Sequence, residues 1–408
     1  MKKIELLAPA GDFERLVTAI HFGANAVYLA GKKFSLRAFA SNFDEEEIIK
    51  AIEYAHSKNV KVYITVNILA HNEDFNGLVD YLKFLEKAGA DGVIVSDIGI
   101  ASLVKKHTNL ELHVSTNANI TNVYSAKMWV ELGAKRLVLA RELSLKEIRD
   151  IKDAVGEDID LECFGHGAMC ISYSGRCLLS NYLTGRDSNK GECAQPCRWN
   201  YALGIKNDIN ETTYFPILED NKGTYILNSK DLCMIEHIKE LVLAGVTSLK
   251  VEGRMKTNYY VATVINAYRR AIDDFYNNQT PSFNYLEEVK KTSNRDFTTG
   301  FYFENDSKEN LTTSKQSETH KYMAVVLESL NDGYILVEHR NKFVLGDELE
   351  ILSSGENFNK TFKVNQILDL DKTPLEEVKK IKQHVYLKCP YKLNKYDILR
   401  KKQIWEQN

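Results

Sequence analysis

Eight short apolar runs, rich in β-branched residues, recur in the first 254 residues and alternate with segments of helical period. They are IELLAPAG (4–11), AVYLAG (26–31), KVYITVN (61–67), GVIVSD (92–97), ELHVSTN (111–117), RLVLARE (136–142), DLECFGHG (160–167) and SLKVEGR (248–254). A strand buried on both faces has no polar side, so this pattern predicts parallel strands covered by helices. Eight strand–helix units in about 250–280 residues fit a closed (β/α)8 TIM-like barrel better than an open sheet.

The pattern changes after a predicted helix over 258–277. Residues 281–320 are polar and rich in Asn, Thr and Ser, which is typical of a linker. Alternating runs from 321 to 408 predict a small antiparallel β-barrel-like domain. With 408 residues, 44% of them hydrophobic, the chain can build two cores. We therefore predict an α/β protein with a barrel at 1–280 and a C-terminal β domain.

A long excursion separates the seventh run from a helix predicted at 231–245. Connections between strand and helix are usually about 2 to 6 residues long, and longer loops in compact domains are usually functional or disordered. The Tyr, Trp, Leu and Cys content of this segment argues against disorder. We predict that 166–230 form a cysteine-rich insertion after strand 7, folded over the mouth of the barrel.

The predicted strands end in polar residues. TIM-barrel enzymes build their sites at the C-terminal ends of the strands, so these residues are expected to share one rim. Helix capping is an equally ordinary use of an Asp, and an Asn can satisfy loop backbone. The placement of all these residues at one rim is therefore a stronger indication of a functional site than any one of them alone. The rim residues are Asn67, Asp97, Asn117, Arg141, His166, Glu252 and Arg254.

Four cysteines, Cys170, Cys177, Cys193 and Cys197, lie within the insertion with the spacing C-x6-C-x15-C-x3-C. Clustered thiolates among glycines can surround an inorganic cluster, whereas a structural zinc site usually shows two tight pairs. The spacing favours an iron–sulfur cluster and leaves zinc or free redox thiols as alternatives. Ligation by three of the cysteines, which would leave one iron open to substrate, is also an alternative. Cys233 is a reserve ligand.

The expected location of the chain is the cytoplasm. No apolar run approaches the eighteen or so residues of a membrane helix, and the first residues do not resemble a signal peptide. A reducing cytosol disfavours disulfides. The net charge of −3 gives no global argument for nucleic acid, so RNA binding would need a local patch. Residues 379–402 are basic and suit a phosphate backbone, or equally a solvated surface.

Four segments together resemble the collagenase-like "U" peptidase family. They are LLAPAG (6–11), FGHGAMCISYSGRCLLSNYLTGRDSNKGECAQPCRW (164–199), NSKDL (228–232) and SLKVEGRMK (248–256). The similarity covers nearly the whole chain. Within the family it is greatest to the branch that hydroxylates tRNA with prephenate.

This resemblance implies an iron–sulfur cluster, expected to be of the 4Fe-4S type, on the four insertion cysteines. It also implies oxygen-independent formation of 5-hydroxyuridine at the wobble position of tRNA, with prephenate as co-substrate and the anticodon arm as partner. Cations suit the two carboxylates of prephenate, and titratable rim groups can move protons. The predicted substrate-binding residues are Asn67, Asn117, Arg141, Arg198, Arg254 and Lys256. The predicted catalytic residues are Asp97, His166 and Glu252.

Two other functions remain alternatives at this point. The family label allows an endopeptidase, but the chain has no H-E-x-x-H or G-x-S-x-G motif, and Cys163 or Ser172 with His166 is a weak nucleophile–base pair. A non-catalytic cluster-bearing accessory protein is the third function. No membrane partner is expected, while a paralogous subunit or a homo-oligomer is left open.

Overall fold

The computed structural model describes residues 3–35, 42–170, 172–173, 175–188, 192–199, 204–205, 215–216, 229–303 and 316–403. Asn228 of the NSKDL segment and residues 404–408 of the C-terminal domain lie outside these ranges. In chain order, the first strands are β1 (Glu5–Pro9), β2 (Ala26–Ala30), β3 (Lys61–Val66), β4 (Gly92–Val95), β5 (Glu111–Val114), β6 (Arg136–Val138), β7 (Asp160–Ala168), β8 (Gly204–Ile205), β9 (Phe215–Pro216), β10 (Asp231–Cys233) and β11 (Ser248–Val251).

Strands β1 to β7 and β11 form a closed parallel barrel. β1 to β7 pair in chain order, and β11 closes the ring by pairing in parallel with both β7 and β1. Each strand coincides with one of the eight apolar runs, β7 extending one residue beyond its run, so the predicted (β/α)8 architecture is confirmed. The alternation succeeds as a signal because strands covered by helices outside and side chains inside are apolar on both faces.

Helices surround the barrel. They are α1 (Phe13–His21), α2 (Glu45–His56), α3 (Leu78–Ala88), α4 (Ile98–His107), α5 (Val123–Glu131), α6 (Leu145–Val155), α7 (Leu179–Thr184), α8 (Ile238–Leu243), α9 (Asn258–Asn277) and α10 (Tyr285–Val289). Capping boxes begin α2 and α6: Asp44 and Ser144 accept the backbone N–H of Glu47 and Glu147, whose carboxylates accept in return. None of the described helices is long and apolar enough to cross a membrane.

The segment 231–245 differs from its prediction as one helix. Its first three residues form β10, which pairs antiparallel with β7 and in parallel with β12 (Phe297–Thr298). The helix begins only at Ile238. β7 extends to Ala168, past the barrel, and its free backbone groups there accept a strand partner. Tertiary pairing therefore outweighs the local helical period.

The C-terminal domain is an antiparallel sheet, as predicted. Its strands are β13 (His320–Ser329), β14 (Tyr334–His339), β15 (Phe343–Val344), β16 (Glu348–Leu352), β17 (Thr361–Lys363), β18 (Ile367–Leu368), β19 (Glu377–Val378), β20 (His384–Lys388) and β21 (Ile398–Lys402). The sheet order is β17-β16-β21-β13-β14-β20-β18. β20 lies inside the basic stretch 379–402 and pairs with β14.

Buried polar contacts attach this domain to neighbouring helices. Arg400, fully buried, forms an ion pair with Glu288 of α10 at 2.7 Å and donates a hydrogen bond to it at 3.1 Å, and His21 of α1 lies 2.9 Å from Asp397. The described part of segment 281–320 contains α10, whose Glu288 pairs with Arg400, and β12, which pairs with β10. The domain limits at 280 and 320 stay a prediction.

Candidate functional site

A cleft of about 450 Å³ opens at the C-terminal ends of the barrel strands, beneath the cysteine-rich insertion. It gathers eleven of the thirteen predicted site residues from sequence positions between 67 and 256. They are Asn67, Asn117, Arg141, Cys170, Cys177, Cys193, Cys197, Arg198, Glu252, Arg254 and Lys256. Asp97 and His166 do not line it.

None of the four insertion cysteines is in a disulfide, and all four line this one cleft. Protein atoms crowded around the thiol raise the pKa of Cys170, and the nearby thiols of Cys177 and Cys193 raise it further. Burial likewise raises the pKa of Cys197, and the Arg198 guanidinium opposes that rise. The sulfurs are therefore close enough to interact electrostatically without being bonded to one another.

The spacing of these thiols can be tested against a metal. Among the described residues, no three His, Cys, Asp or Glu side chains converge closely enough to hold a single metal ion. A cluster of several irons binds its thiolates at separate corners rather than at one point, and the four cysteines line one cleft. The residues present are compatible with a cluster.

Hydrogen bonds hold the backbone of the insertion around the cleft. Ser188 donates its hydroxyl to the carbonyl of Cys177 at 2.8 Å, and Ser180 accepts the N–H of Ala194 at 3.0 Å. The N–H of Gln195 points at the sulfur of Cys193, 3.4 Å away. Ser180, on α7, is fully buried. These bonds bring the first and second cysteine pairs to the same wall.

One glycine joins the insertion to the barrel rim. Gly175 has φ +73, and a Cβ there would lie 2.6 Å from the carbonyl oxygen of Asn117. Any larger residue would push the insertion away from the strand ends.

The cleft wall is strongly cationic. Six cations and one carboxylate are among its described lining residues: Arg141, Arg186, Arg198, Lys250, Arg254 and Lys256 against Glu252. Arg141 lies 3.9 Å above the ring of Phe164, and Arg198 donates to the carbonyl of Met169 at 2.8 Å. Burial lowers the pKa of Lys256, Asp231 and Glu252 oppose this, and Arg198 adds to it. Such a wall attracts anions.

Two of the segments quoted above meet at this wall. A Cβ on Gly11, the last residue of LLAPAG, would lie 2.2 Å from the carbonyl oxygen of Arg254 in SLKVEGRMK. Arg254 is buried and donates to Thr65 at 3.4 Å. Gly11 is thus required for the close approach that seats Arg254 in the barrel.

Lys250 lines the floor of the cleft and was missed by the sequence analysis. Its ammonium donates to Glu162 at 2.7 Å and lies 4.3 Å from the ring centre of Tyr28. Burial lowers the pKa of Lys250, and Glu162 opposes this. A signal was present, because Lys250 and Glu162 are charged residues inside otherwise apolar strand runs. Charged residues are almost never buried unless they are paired.

Asp231 and Arg295 were also missed. The carboxylate of Asp231 accepts the backbone N–H of Arg295 at 3.0 Å and its guanidinium at 3.2 Å, and both residues are buried. The negative charge of Asp231 acts to raise the pKa of Lys256 in the cleft wall. No motif marks Arg295, since it is contributed by the segment that resembled a linker.

His166 faces away from the cleft. Its ring is 2% exposed, packs against Tyr260, Tyr268 and Phe297, and has Nδ1 3.4 Å from the Tyr268 hydroxyl. Burial lowers the pKa of His166 to about 4, with Asp231 opposing. The structure places it as a neutral packing group behind β7.

Asp97 caps a helix. Its carboxylate accepts the N–H of Ile100 at 3.0 Å, at the start of α4. This is the ordinary alternative for an Asp that follows a strand.

The weak nucleophile candidates do not pair with this histidine in any contact of the described residues. Cys163 is buried, which raises its thiol pKa, and it interacts with Tyr302. The hydroxyl of Ser172 bonds to Cys177. Exposed aromatics surround the cleft instead: Tyr173, 59% exposed, lines it, and Trp199, 45% exposed, lies on the insertion.

Several cations of the basic stretch 379–402 are already paired. Arg400 bonds to Glu288 and Glu350, and Lys401 to Asp347 at 2.6 Å. The stretch is therefore less available to phosphate than its composition indicates.

Comparison with known proteins places these features in a family. Residues 11–312 match the model of peptidase family U32, and residues 318–400 match the model of the peptidase family U32 C-terminal domain.

Named relatives extend along most of the chain. Bacillus subtilis tRNA hydroxylation protein P1 is 40% identical over 98% of this chain and 95% of its own length. Escherichia coli tRNA hydroxylation protein P is 34% identical, with 89% of each protein covered. Escherichia coli 23S rRNA 5-hydroxycytidine C2501 synthase is 36% identical over 66% of this chain and 39% of its own length.

Proposed function

The chain belongs to peptidase family U32, and from that premise we propose that it is an iron–sulfur-dependent RNA hydroxylase. The proposed substrate is the wobble uridine of tRNA. It is converted to 5-hydroxyuridine without molecular oxygen and with prephenate as co-substrate. Relatives named for tRNA hydroxylation and for rRNA 5-hydroxycytidine synthesis support RNA hydroxylation as the reaction class.

One observation carries the proposal. Four cysteines that are not in disulfides and six cations are among the described lining residues of one cleft, at the end of a TIM barrel where enzymes of this fold build their sites. Soft sulfur ligands suit an iron–sulfur cluster, and the cations suit an anionic substrate. A peptidase would instead need an activated nucleophile or a metal-bound water.

The cleft residues divide into three roles in this proposal. Cys170, Cys177, Cys193 and Cys197 would hold the cluster, which supplies electron transfer when bound. Arg141, Arg198, Arg254 and Lys256 bind the carboxylates of prephenate and neutralise their charge. Asn67 and Asn117 offer amide donors and acceptors to a base edge.

Glu252 is the carboxylate that lines the cleft, and we assign proton transfer to it. It lies beside Gly167, whose added Cβ would be only 2.7 Å from the Glu252 Cβ. This close packing fixes where the Glu252 side chain leaves the strand. Tyr173, exposed at the cleft edge, provides a ring on which a splayed base can stack.

Iron and sulfide analysis after anaerobic purification tests the cluster. We expect iron and sulfide in the wild-type protein and their loss in Cys193→Ala. Cys389→Ala, in the C-terminal domain, is the matched control and should keep both. Metal-free wild-type protein would overturn the redox mechanism.

Nucleoside analysis of tRNA tests the reaction. A strain lacking the gene should regain 5-hydroxyuridine with the wild-type chain and with Cys389→Ala, and should not regain it with Cys193→Ala. Casein cleavage that survives removal of iron would favour the peptidase alternative. A cluster-bearing protein that binds RNA yet never restores the nucleoside would favour the accessory alternative.

A further inference from the structure

A second concavity, of about 460 Å³, lies beside the cleft and is used by none of the roles above. It is formed by the connections after β3, β4 and β5, helix α5 and the start of the insertion. Asn67, Asn117 and Gly175 line both cavities. The groove therefore opens directly from the proposed reaction site, and its volume lies within the range of ligand pockets, roughly 300–1,000 Å³.

The walls of the groove are apolar and open to solvent. Leu69, Ile98 and Met128 line it while 49%, 62% and 56% exposed, and the buried Trp129 forms part of its base. Scattered apolar residues on a surface are ordinary, but three around one concavity mark an interaction site. A flat, apolar ligand face would cover them.

The charge of the groove restricts what that ligand can be. Arg176 is the one charged side chain among its described lining residues. Asp97 sits between the lining residues Ser96 and Ile98, but its carboxylate caps α4. The groove thus combines an apolar wall with a cation and without a lining carboxylate, a combination that suits a base and its phosphate.

We propose that this groove binds the nucleobase adjacent to the modified nucleotide. The inference rests on the proposed RNA hydroxylase function and names a subsite for it. The neighbouring base stacks against Met128 and Ile98, its phosphate lies at Arg176, and the shared amides of Asn67 and Asn117 separate the two bases. Single-stranded RNA is recognised in this way, by splaying consecutive bases into separate pockets.

The test combines protein variants that fill or charge the groove with RNAs that lack the neighbouring base. Ser125→Trp places an indole in the groove and keeps the α5 cap, because Asn122 accepts only the backbone N–H of Ser125. Met128→Glu, at an exposed position, places a carboxylate there without disturbing packing. Tyr124→Trp, 84% exposed on the same helix and outside the groove, is the matched control.

Affinity is measured by fluorescence anisotropy with an anticodon stem-loop RNA, intact or abasic on the 5′ or the 3′ side of the target. We expect Ser125→Trp and Met128→Glu to weaken binding of the intact RNA about tenfold, a typical value for one stacked base. One abasic RNA should bind the wild type and Ser125→Trp equally, whereas Met128→Glu should keep a smaller loss on it, because an abasic nucleotide retains the phosphate that the new carboxylate repels. Tyr124→Trp should match the wild type throughout.

Equal losses on intact and abasic RNAs, or no loss on either, would overturn the groove assignment. A size-exclusion shift of the wild type that Met128→Glu abolishes, without any RNA effect, would also overturn it and indicate a protein interface. RNA binding can be measured without catalysis, so failure of the groove assignment can be distinguished from failure of the proposed hydroxylase function. If the RNA affinities follow the predicted pattern but the wild-type chain forms no 5-hydroxyuridine, the hydroxylase proposal is contradicted and the base-binding subsite is still supported.

Discussion

The two ends of the barrel interior treat charge in opposite ways. At the lower end, Arg136 donates to Glu5 at 2.6 Å, to Asp160 at 3.2 Å and to Glu162 at 3.2 Å, and Glu162 also accepts from Lys250. At the upper end, the described lining residues of the cleft include five cations besides Lys250 and one carboxylate, Glu252. The same strands supply both ends.

The lower network is self-contained. Burial alone would raise the pKa of Glu162, but Lys250 and Arg136 outweigh it and hold that pKa below its ordinary value. The upper cations repel one another, which costs stability until anions arrive. Paired charges therefore indicate a structural role, whereas an excess of one sign indicates a ligand site.

The largest expected effect is on the lower network. Glu162→Ala removes the acidic partner of Lys250 and should lower the free energy of unfolding by about 3–5 kcal/mol, because it leaves a buried charge uncompensated. Urea denaturation measures this. Asp150→Ala, at an exposed ion pair with Lys146 on α6, is the control and should cost about 1 kcal/mol or less.

A double variant sharpens that prediction. Glu162→Leu with Lys250→Met replaces the ion pair by apolar side chains and should recover most of the loss. A double variant as unstable as Glu162→Ala would show that the network is more than charge compensation.

The next effect concerns pH. The His166 pKa of about 4 lies below the ordinary 6.5, so the unfolded state binds the proton more readily between these values. Stability is complete above pH 6.5 and is lost as the pH falls towards 4, by up to about 3 kcal/mol from this residue. His166→Phe should flatten that part of the stability curve.

Urea midpoints at pH 7, 5.5 and 4.5 measure the difference between wild type and variant. If His166→Phe instead leaves the slope unchanged and shifts the pH dependence of RNA hydroxylation, the ring serves the upper end as the sequence predicted.

A smaller effect is expected from the cationic wall. Arg254→Ala should reduce kcat/KM for tRNA hydroxylation about thirtyfold at limiting prephenate, because a hydrogen bond to a charged carboxylate is worth about 2 kcal/mol. Steady-state kinetics with the purified protein measure it. Arg149→Ala, at an exposed pair on α6, is the control. Wild-type kinetics for Arg254→Ala would remove the carboxylate assignment.

The smallest effect separates two uses of one rim residue. Asp97→Ala should lower the free energy of unfolding by about 1 kcal/mol through loss of the α4 cap. Asp97→Asn keeps a cap and should preserve both stability and activity. An inactive but stable Asp97→Asn would restore the catalytic role predicted from sequence.

Local sequence patterns were sufficient to predict much of the secondary structure. The helix over 258–277 is where the sequence predicts it, because helical period acts over a few residues. The prediction of helix at the start of 231–245 was wrong, because β10 forms only where the end of β7 provides backbone hydrogen-bond partners. Arg295 escaped notice for a similar reason, since Asp231, 64 residues away, gives it its place.

By itself, the sequence determined the closed barrel, the C-terminal sheet and the family, since strand periodicity and the cysteine spacing are written in consecutive residues. Only the tertiary structure decided which polar residues meet. It brought eleven predicted residues into one cleft, turned His166 and Asp97 away from it, and opened a groove beside it. The physical reason is that the facing of a side chain depends on strand register and packing between segments far apart in the chain.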